Sequence, residues 1–86
     1  MLRRSAGVAV EGEPQLVDRL GPALQDILAS RHRLYLVRLH HVGRRGEVLV
    51  SVDGSAGHAP VILQPEQQAP GVAAAAVRRF VERLSL

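Results

Sequence analysis

Two runs of alternating residues on either side of Gly43–Gly46 constrain the fold of this chain more than any other feature. Leu34 to Val42 and Glu47 to Asp53 both repeat with a period of two, and both are rich in β-branched or bulky residues, which is typical of strands. The Gly-Arg-Arg-Gly segment between them has a common length for a hairpin loop. The sequence therefore predicts an antiparallel hairpin in which Val42 lies opposite Glu47.

This register can be checked against the faces of the two strands. One face is then apolar and carries Tyr35, Val37, Leu39, Val48, Val50 and Val52. The other face carries Leu34, Leu36, Arg38, His40, Leu49, Ser51 and Asp53. Because a slip of one residue would move a whole strand to the wrong face, the agreement between the strands favours this register.

Helical spacing of apolar residues predicts one helix before the hairpin and another near the end of the chain. The first spans Gln15 to Ser30, and the second spans roughly Gly71 to Leu84. Gly21-Pro22 interrupts the first pattern, and proline is tolerated in the first turn of a helix but not in its interior. This segment is therefore either one kinked helix or a turn followed by a helix that begins at Pro22.

Two shorter segments complete the predicted order. Val61 to Gln64 is predicted to be a third, short strand after a glycine-containing connector, and Ala6 to Val10 a short strand in front of the first helix. We expect one domain over residues 1–86, in which residues 1–13 form either a loose arm or this short strand. The order (β)αβββα predicts an α+β two-layer sandwich. Both helices would pack on one face of an antiparallel sheet of three strands, or of four if the first strand joins it.

Composition limits the classes of partner. The chain has 86 residues and a net charge of +3, carried by eleven arginines and no lysine. This usage is typical of a GC-rich genome, and the basic charge permits phosphate binding without requiring it. The chain has only two aromatic residues, Tyr35 and Phe80, too few for the stacking platforms that bind single-stranded nucleic acid.

The absence of cysteine and of long apolar runs bears on disulfides, metal sites and membrane spans. The chain has no disulfide and no thiolate metal site, because it has no cysteine. No segment approaches the ~20 apolar residues of a membrane span, and the first ten residues lack the apolar run of a secretory signal. We therefore expect a cytoplasmic protein without a membrane partner.

The reactive side chains do not form a recognisable catalytic or metal-binding pattern. Glu47 and Asp53 are six positions apart on one strand, which is ~20 Å and too far for a carboxylate pair. His40 and His41 are adjacent in a strand and point to opposite faces, so they cannot hold one ion together. The serines lack a glycine-framed nucleophile elbow. The sequence predicts a non-enzymatic protein without a cofactor or metal.

The Gly-Arg-Arg-Gly segment fits the GxxG string that KH domains use to hold a nucleic-acid backbone. In KH domains this loop joins two helices, whereas strand periodicity follows it here. We therefore interpret it as a hairpin turn that leaves Arg44 and Arg45 exposed at its tip. Two guanidinium groups at a hairpin tip are well suited to contact phosphates.

The order helix-strand-strand-strand-helix and the segment GVAAAAVRRFVERL resemble the double-stranded RNA-binding domain. That resemblance implies that duplex RNA is held by the first helix, by the loop between the first two strands, and by a basic cluster at the start of the last helix. Arg44 and Arg45 match the second element, while the segment QQAPGVAAAA lacks the third. The segment RLYLVRLHHVGRRGEVLVSVDG also resembles the N-terminal half of ribosome maturation factors, which implies an association with the ribosome.

Two functional hypotheses follow. Leu34, Leu36 and Leu49 lie on the sheet face away from the helices, and an uncovered apolar patch is typical of an interaction site. The first hypothesis is therefore a protein–protein interaction module that binds itself as a homodimer, or binds another protein, through these leucines and the edge of the third strand. The alternative is an RNA- or ribosome-associated protein that contacts phosphates through a set of arginines: Arg44, Arg45, Arg78, Arg79 and Arg83.

Overall fold

The computed structural model describes residues 2–5 and 7–86, and within them five strands and two α-helices follow one another in an α+β order. This confirms the predicted fold class. The elements are β1 (Leu2–Ser5), β2 (Val8–Gly12), α1 (Pro14–Ala29), β3 (Tyr35–Val42), β4 (Glu47–Gly54), β5 (Gly57–Leu63) and α2 (Pro70–Arg83), with a short 3-10 turn (Pro65–Gln67) before α2.

The predicted hairpin lies at the centre of the sheet. β3 and β4 pair antiparallel with Val42 opposite Glu47, as the alternation of the two strands predicted. The turn between them contains two glycines with positive φ, Gly43 at 71° and Gly46 at 79°. Because side chains disfavour this backbone region, the two glycines allow a four-residue turn that keeps both strands in register.

The sheet has the strand order β1-β2-β3-β4-β5 and differs from the predicted antiparallel sheet at one junction. β2 and β3 run parallel, because α1 carries the chain back to the same end of the sheet before β3 begins. β1 adds a further antiparallel strand to the outer edge of β2. The strand predicted over Ala6 to Val10 corresponds to β2, and Ala6 itself lies outside the described residues.

Helix α1 continues without a break through Gly21 and Pro22. Proline removes one helical hydrogen bond, but the apolar stripe of the helix runs through this point, and Leu20 and Leu24 are both fully buried. Gly21 has no Cβ to clash with the ring of Pro22, which reduces the usual restriction on the residue before proline. Tertiary packing therefore outweighs the local helix-breaking signal of Pro22. The proline in the first turn of α1, where proline is tolerated, is Pro14.

Both helices pack on one face of the sheet, and the core lies between the two layers. β5 begins four residues before the predicted strand over Val61 to Gln64. Ala59 is buried in the core and continues the alternation of Val61 and Leu63 toward the start of the strand. The buried residues of the sheet alternate strictly along every strand from β2 to β5. The core residues contributed by the sheet are Val8, Val10, Tyr35, Val37, Leu39, Val48, Val50, Val52, Ala59, Val61 and Leu63.

The chain between β2 and α1 passes very close to β3. Gly12 has a φ of 128°, and a Cβ atom built on it would lie 2.2 Å from the backbone oxygen of Leu39. The backbone N–H of the next residue, Glu13, donates to that same oxygen at 3.1 Å. Only glycine fits this approach, which positions the start of α1 over the sheet.

Candidate functional site: the open face of the sheet

The face of the sheet opposite the helices, called here the open face, is not covered by any described element. Its residues alternate with the core residues, and none of those whose side chains are described is buried. Cross-strand register places them in rows, two of which run from β1 to β5. The open face carries Leu2, Arg4, Ala9, Glu11, Leu36, Arg38, His40, Val42, Glu47, Leu49, Ser51, Asp53, His58, Pro60 and Ile62.

A charged chain, in which Glu11, Arg38 and Asp53 form ion pairs and His58 adds a hydrogen bond, crosses the middle of the open face. The Arg38 Nε donates to Glu11 Oε1 at 2.9 Å, and its Nη1 lies 3.6 Å from Asp53 Oδ2. The His58 Nδ1–H donates to the other carboxylate oxygen of Asp53 at 2.6 Å. Exposed ion pairs of this kind contribute little to stability, but they hold the side chains in place and neutralise one another. The chain joins the four strands from β2 to β5.

Two of the three leucines predicted to bind a partner lie on this face, although not next to each other. Leu36 and Leu49 are half-buried. Leu36 pairs with Asp53, which is four residues from Leu49 along β4, so the two leucines are ~13 Å apart along the strands. Leu49 lies directly opposite Ile62 of β5, whose side chain is 48% exposed. Leu36 therefore lies beside Asp53, while Leu49 and Ile62 lie two rows away, and the row that contains Glu11 and Arg38 separates them.

Leu34, the third predicted leucine, precedes β3 and is 75% exposed. A Cβ atom built on Gly7 would lie 3.0 Å from its Cδ2, so its side chain reaches the turn between β1 and β2. The predicted set is thus divided between the open face and the end of the sheet. Strand alternation assigned these leucines to one face but carried no information about the distance between them.

The tip of the central hairpin presents Arg44 and Arg45 to solvent, as the sequence predicted. Neither arginine forms an ion pair within the described part of the chain. The Gln68 Nε2 donates to the backbone oxygen of Gly46 at 2.7 Å, so the tip is attached to the segment just before α2. This contact holds the backbone of the tip against the segment that precedes α2.

The arginines of α2 are separated from the hairpin tip. Arg78 forms an ion pair with Glu82 at 2.8 Å, while Arg79 and Arg83 are exposed without one among the described residues. Arg83 is the last residue of α2, which begins beside the tip and extends ~20 Å away from it. The five predicted phosphate-binding arginines therefore do not form one cluster.

A further ion pair at the end of the sheet was not predicted from the sequence. The Glu13 carboxylate accepts hydrogen bonds from the Nδ1–H of His41 at 2.8 Å and from the backbone N–H of the same residue. The hydrogen bond from the His41 side chain is the main reason that the pKa of Glu13 lies below its usual value, and the backbone N–H adds to it. Glu13 thereby contacts β3 at His41, beyond Gly12, where the backbone pairing of β2 with β3 ends.

Potential ligands for a metal ion remain apart. His40 lies opposite Leu49, whereas His58 lies opposite Asp53, so the two histidines are on different rows and two strands apart. In the described ranges, no three histidine or carboxylate side chains are grouped to hold a metal ion. Neither α1 nor α2, the helices of those ranges, is long and apolar enough to cross a membrane.

Comparison with known proteins yields no relative: no family model, curated protein or solved structure matches this chain.

Proposed function

We propose that this protein is a non-enzymatic interaction module that works as a homodimer through the open face of its sheet. The observation that carries the proposal is the difference between the two faces. Both helices pack on one face and bury its apolar residues, while the other face exposes half-buried Leu36 and Leu49 together with exposed Ile62. An uncovered sheet face with apolar side chains gains stability when a second surface removes it from water.

The charge of the open face supports a second copy of the chain as its partner. Two arginines, Arg4 and Arg38, are balanced by three carboxylates, those of Glu11, Glu47 and Asp53, which gives this face a formal charge of −1. The whole chain carries +3, so the remaining surface carries the basic excess. Two open faces can therefore meet with little electrostatic repulsion, whereas a phosphate polymer gains nothing there.

The edge of β5 is a weaker candidate for dimerisation than the face. Pro60 lies in the middle of this edge strand and has no backbone N–H. Proline on an edge strand interrupts the row of donors that a second strand would need, and proteins use it to prevent edge-to-edge pairing. This feature favours dimerisation through the face.

The size of the face sets the expected strength of the dimer. Five strands ~4.8 Å apart, with up to eight residues at ~3.3 Å each, give a projected area of roughly 500 Å². Stable interfaces bury about 800 Å² per partner. We therefore expect a dissociation constant in the micromolar range.

Sedimentation velocity over a series of micromolar to submillimolar concentrations tests this proposal. The wild-type protein should shift from monomer to dimer, and Leu49→Lys should weaken the dimer because it places a charge in an apolar end of the face. Val72→Lys is the matched control, because Val72 is 49% exposed but lies on α2. A monomer at every concentration, or equal effects of the two variants, would exclude dimerisation through the open face.

The hairpin tip supports a second candidate function, RNA binding. Arg44 and Arg45 are exposed and unpaired within the described residues, and the resemblance to the double-stranded RNA-binding domain assigns this loop to duplex contact. Fluorescence anisotropy with labelled duplex and single-stranded RNA, titrated across salt, tests it. Binding that weakens linearly in log salt and drops in Arg44→Ala/Arg45→Ala would support it, and no binding at low salt would exclude it.

A further inference from the structure

A groove of about 250 Å³ lies between α2 and the outer edge of β5, away from the centre of the open face. Its volume is below the ~300–1,000 Å³ that is usual for small-molecule sites. The groove is open along one side and combines apolar and basic walls. The lining residues used below are Ala76, Arg79, Phe80 and Arg83 from α2, together with Ile62 at the edge of β5, whose side chain belongs to the open face.

The basic wall consists of two like charges that have no counter-ion. Arg79 and Arg83 are one helical turn apart, a spacing at which like charges repel each other. Arg78, on the same helix, is paired with Glu82 at this spacing. Neither groove arginine has an ion pair in the part of the chain that the structure describes. An anionic ligand would remove this repulsion and gain two ion pairs.

The apolar part of the lining lies beside these arginines, mainly on the same helix. Phe80 is half-buried and lies on α2 one turn after the small side chain of Ala76, and Ile62 at the edge of β5 is 48% exposed. Exposed apolar area of this kind is stabilised by a ligand that carries an aliphatic group. A ligand that satisfies both walls must therefore be both acidic and apolar.

The backbone of β5 adds a third recognition element. Residues along an antiparallel edge strand alternate between those whose backbone groups bond the neighbouring strand and those whose backbone groups point outward. Pro60 has no N–H to donate to β4 and occupies a position of the second kind. Ile62, two residues later, has the same orientation and directs its N–H and C=O outward. An extended peptide can pair with Ile62 in the manner of an added strand, and Pro60 limits this pairing to about one residue.

We propose that this groove binds a short, extended, acidic segment of a partner protein. An aliphatic side chain of the segment would lie against Phe80 and Ala76, next to the edge of β5 at Ile62, and two carboxylates would contact Arg79 and Arg83. RNA is the less suitable occupant, because the groove offers a single, partly buried aromatic ring for base stacking. This inference rests on Arg79, Phe80 and Arg83 of α2, which lie outside the open face, and it shares only Ile62 with the surface proposed for the homodimer.

Selection from displayed, randomised seven-residue peptides against the full chain tests the proposal. We expect enrichment of Asp and Glu around one aliphatic residue. A synthetic peptide of the enriched sequence should bind Arg79→Glu/Arg83→Glu at least about tenfold more weakly than wild type, because two ion pairs become repulsive. Arg44→Glu/Arg45→Glu is the matched control, since it changes the net charge equally at the hairpin tip and should leave the affinity unchanged.

Nuclear magnetic resonance locates the peptide on the wild-type protein without any substitution. The backbone amide signals of Ile62 and Phe80 should shift during titration with the synthetic peptide, and single-stranded RNA should not compete for the site. Three results would overturn the proposal: enrichment without acidic residues, equal loss of affinity in both double variants, or peptide-induced shifts confined to other surfaces.

Discussion

The guanidinium group of Arg31 and the backbone oxygen of Leu86, 55 residues apart in the sequence, are joined by two hydrogen bonds, from Nε at 3.2 Å and from Nη2 at 2.7 Å. The Tyr35 hydroxyl donates to the same oxygen at 2.8 Å and accepts a hydrogen bond from the Nε of Arg31 at 2.9 Å. These contacts join the end of α1, the start of β3 and the segment that follows α2.

Removing the Tyr35 hydroxyl tests the contribution of this junction. We expect Tyr35→Phe to lower the free energy of unfolding by about 1 kcal/mol, because Tyr35 is buried and a hydrogen bond of typical strength is lost. Urea unfolding followed by circular dichroism measures the change. Ser30→Ala is the control, since the Ser30 hydroxyl makes an exposed hydrogen bond to Ile27 and its loss should matter less. Equal effects of the two substitutions would contradict a specific role for this junction.

Glycine at position 12 is required by the approach of β3. Gly12→Ala should lower the free energy of unfolding by more than about 3 kcal/mol, because its Cβ would overlap the Leu39 backbone oxygen and its φ is unfavourable for alanine. Gly71→Ala is the control, since Gly71 lies in α2 with no atom within 4 Å of an added Cβ, and it should gain up to about 1 kcal/mol. Thermal or urea unfolding of both variants gives the comparison. A tolerated Gly12→Ala would contradict the close approach.

The low pKa of Glu13 links stability to pH. Because the pKa of Glu13 in the folded protein lies below its unfolded value, this carboxylate stabilises the fold above the unfolded pKa, and this contribution is lost as the pH falls through the folded pKa. His41→Ala should raise the pKa of Glu13 by removing the main hydrogen bond, as measured by the side-chain carboxyl signal in an NMR titration. His40→Ala should raise it much less, because His40 acts only through its charge. An unchanged pKa in His41→Ala would contradict the assignment.

Arg38 neutralises the centre of the open face. Arg38→Met leaves the carboxylates of Glu11 and Asp53 without their shared cation, so two open faces should repel each other and the homodimer should weaken by about tenfold at low salt. Added salt should restore part of the affinity, because it screens this repulsion. Arg78→Met, which disrupts an ion pair on α2, is the control and should leave the sedimentation profile unchanged. An unaltered dimer in Arg38→Met would place the interface elsewhere.

The central hairpin was predictable because local chemistry and burial agree there. Strands β3 and β4 each alternate apolar and polar residues, and the glycines at both ends of the turn fix the four-residue loop, so Val42 lies opposite Glu47 as expected. The parallel pairing of β2 with β3 was not predictable in this way, because alternation is the same in parallel and antiparallel strands. Helix α1 runs through Pro22 because burial of its apolar stripe outweighs one lost hydrogen bond.

The candidate site was predictable only as a face. The alternation assigned Leu36, Arg38, Leu49 and Asp53 to the side away from the helices, which is where the structure has them. The positions of β2 and β5 beside the hairpin depend on tertiary packing, and these strands bring Glu11, His58 and Ile62 to the same surface. The charged chain that links these strands could therefore not be inferred from local sequence.

The most direct test of the homodimer is a nuclear Overhauser measurement between two copies of the chain, using a mixture of isotope-labelled and unlabelled protein at millimolar concentration. We predict intermolecular signals to the methyl groups of Leu36 and Leu49 on the open face, and none to those of Val72 on α2. Absence of intermolecular signals at this concentration, or signals confined to Val72 and the helix layer, would contradict dimerisation through the open face.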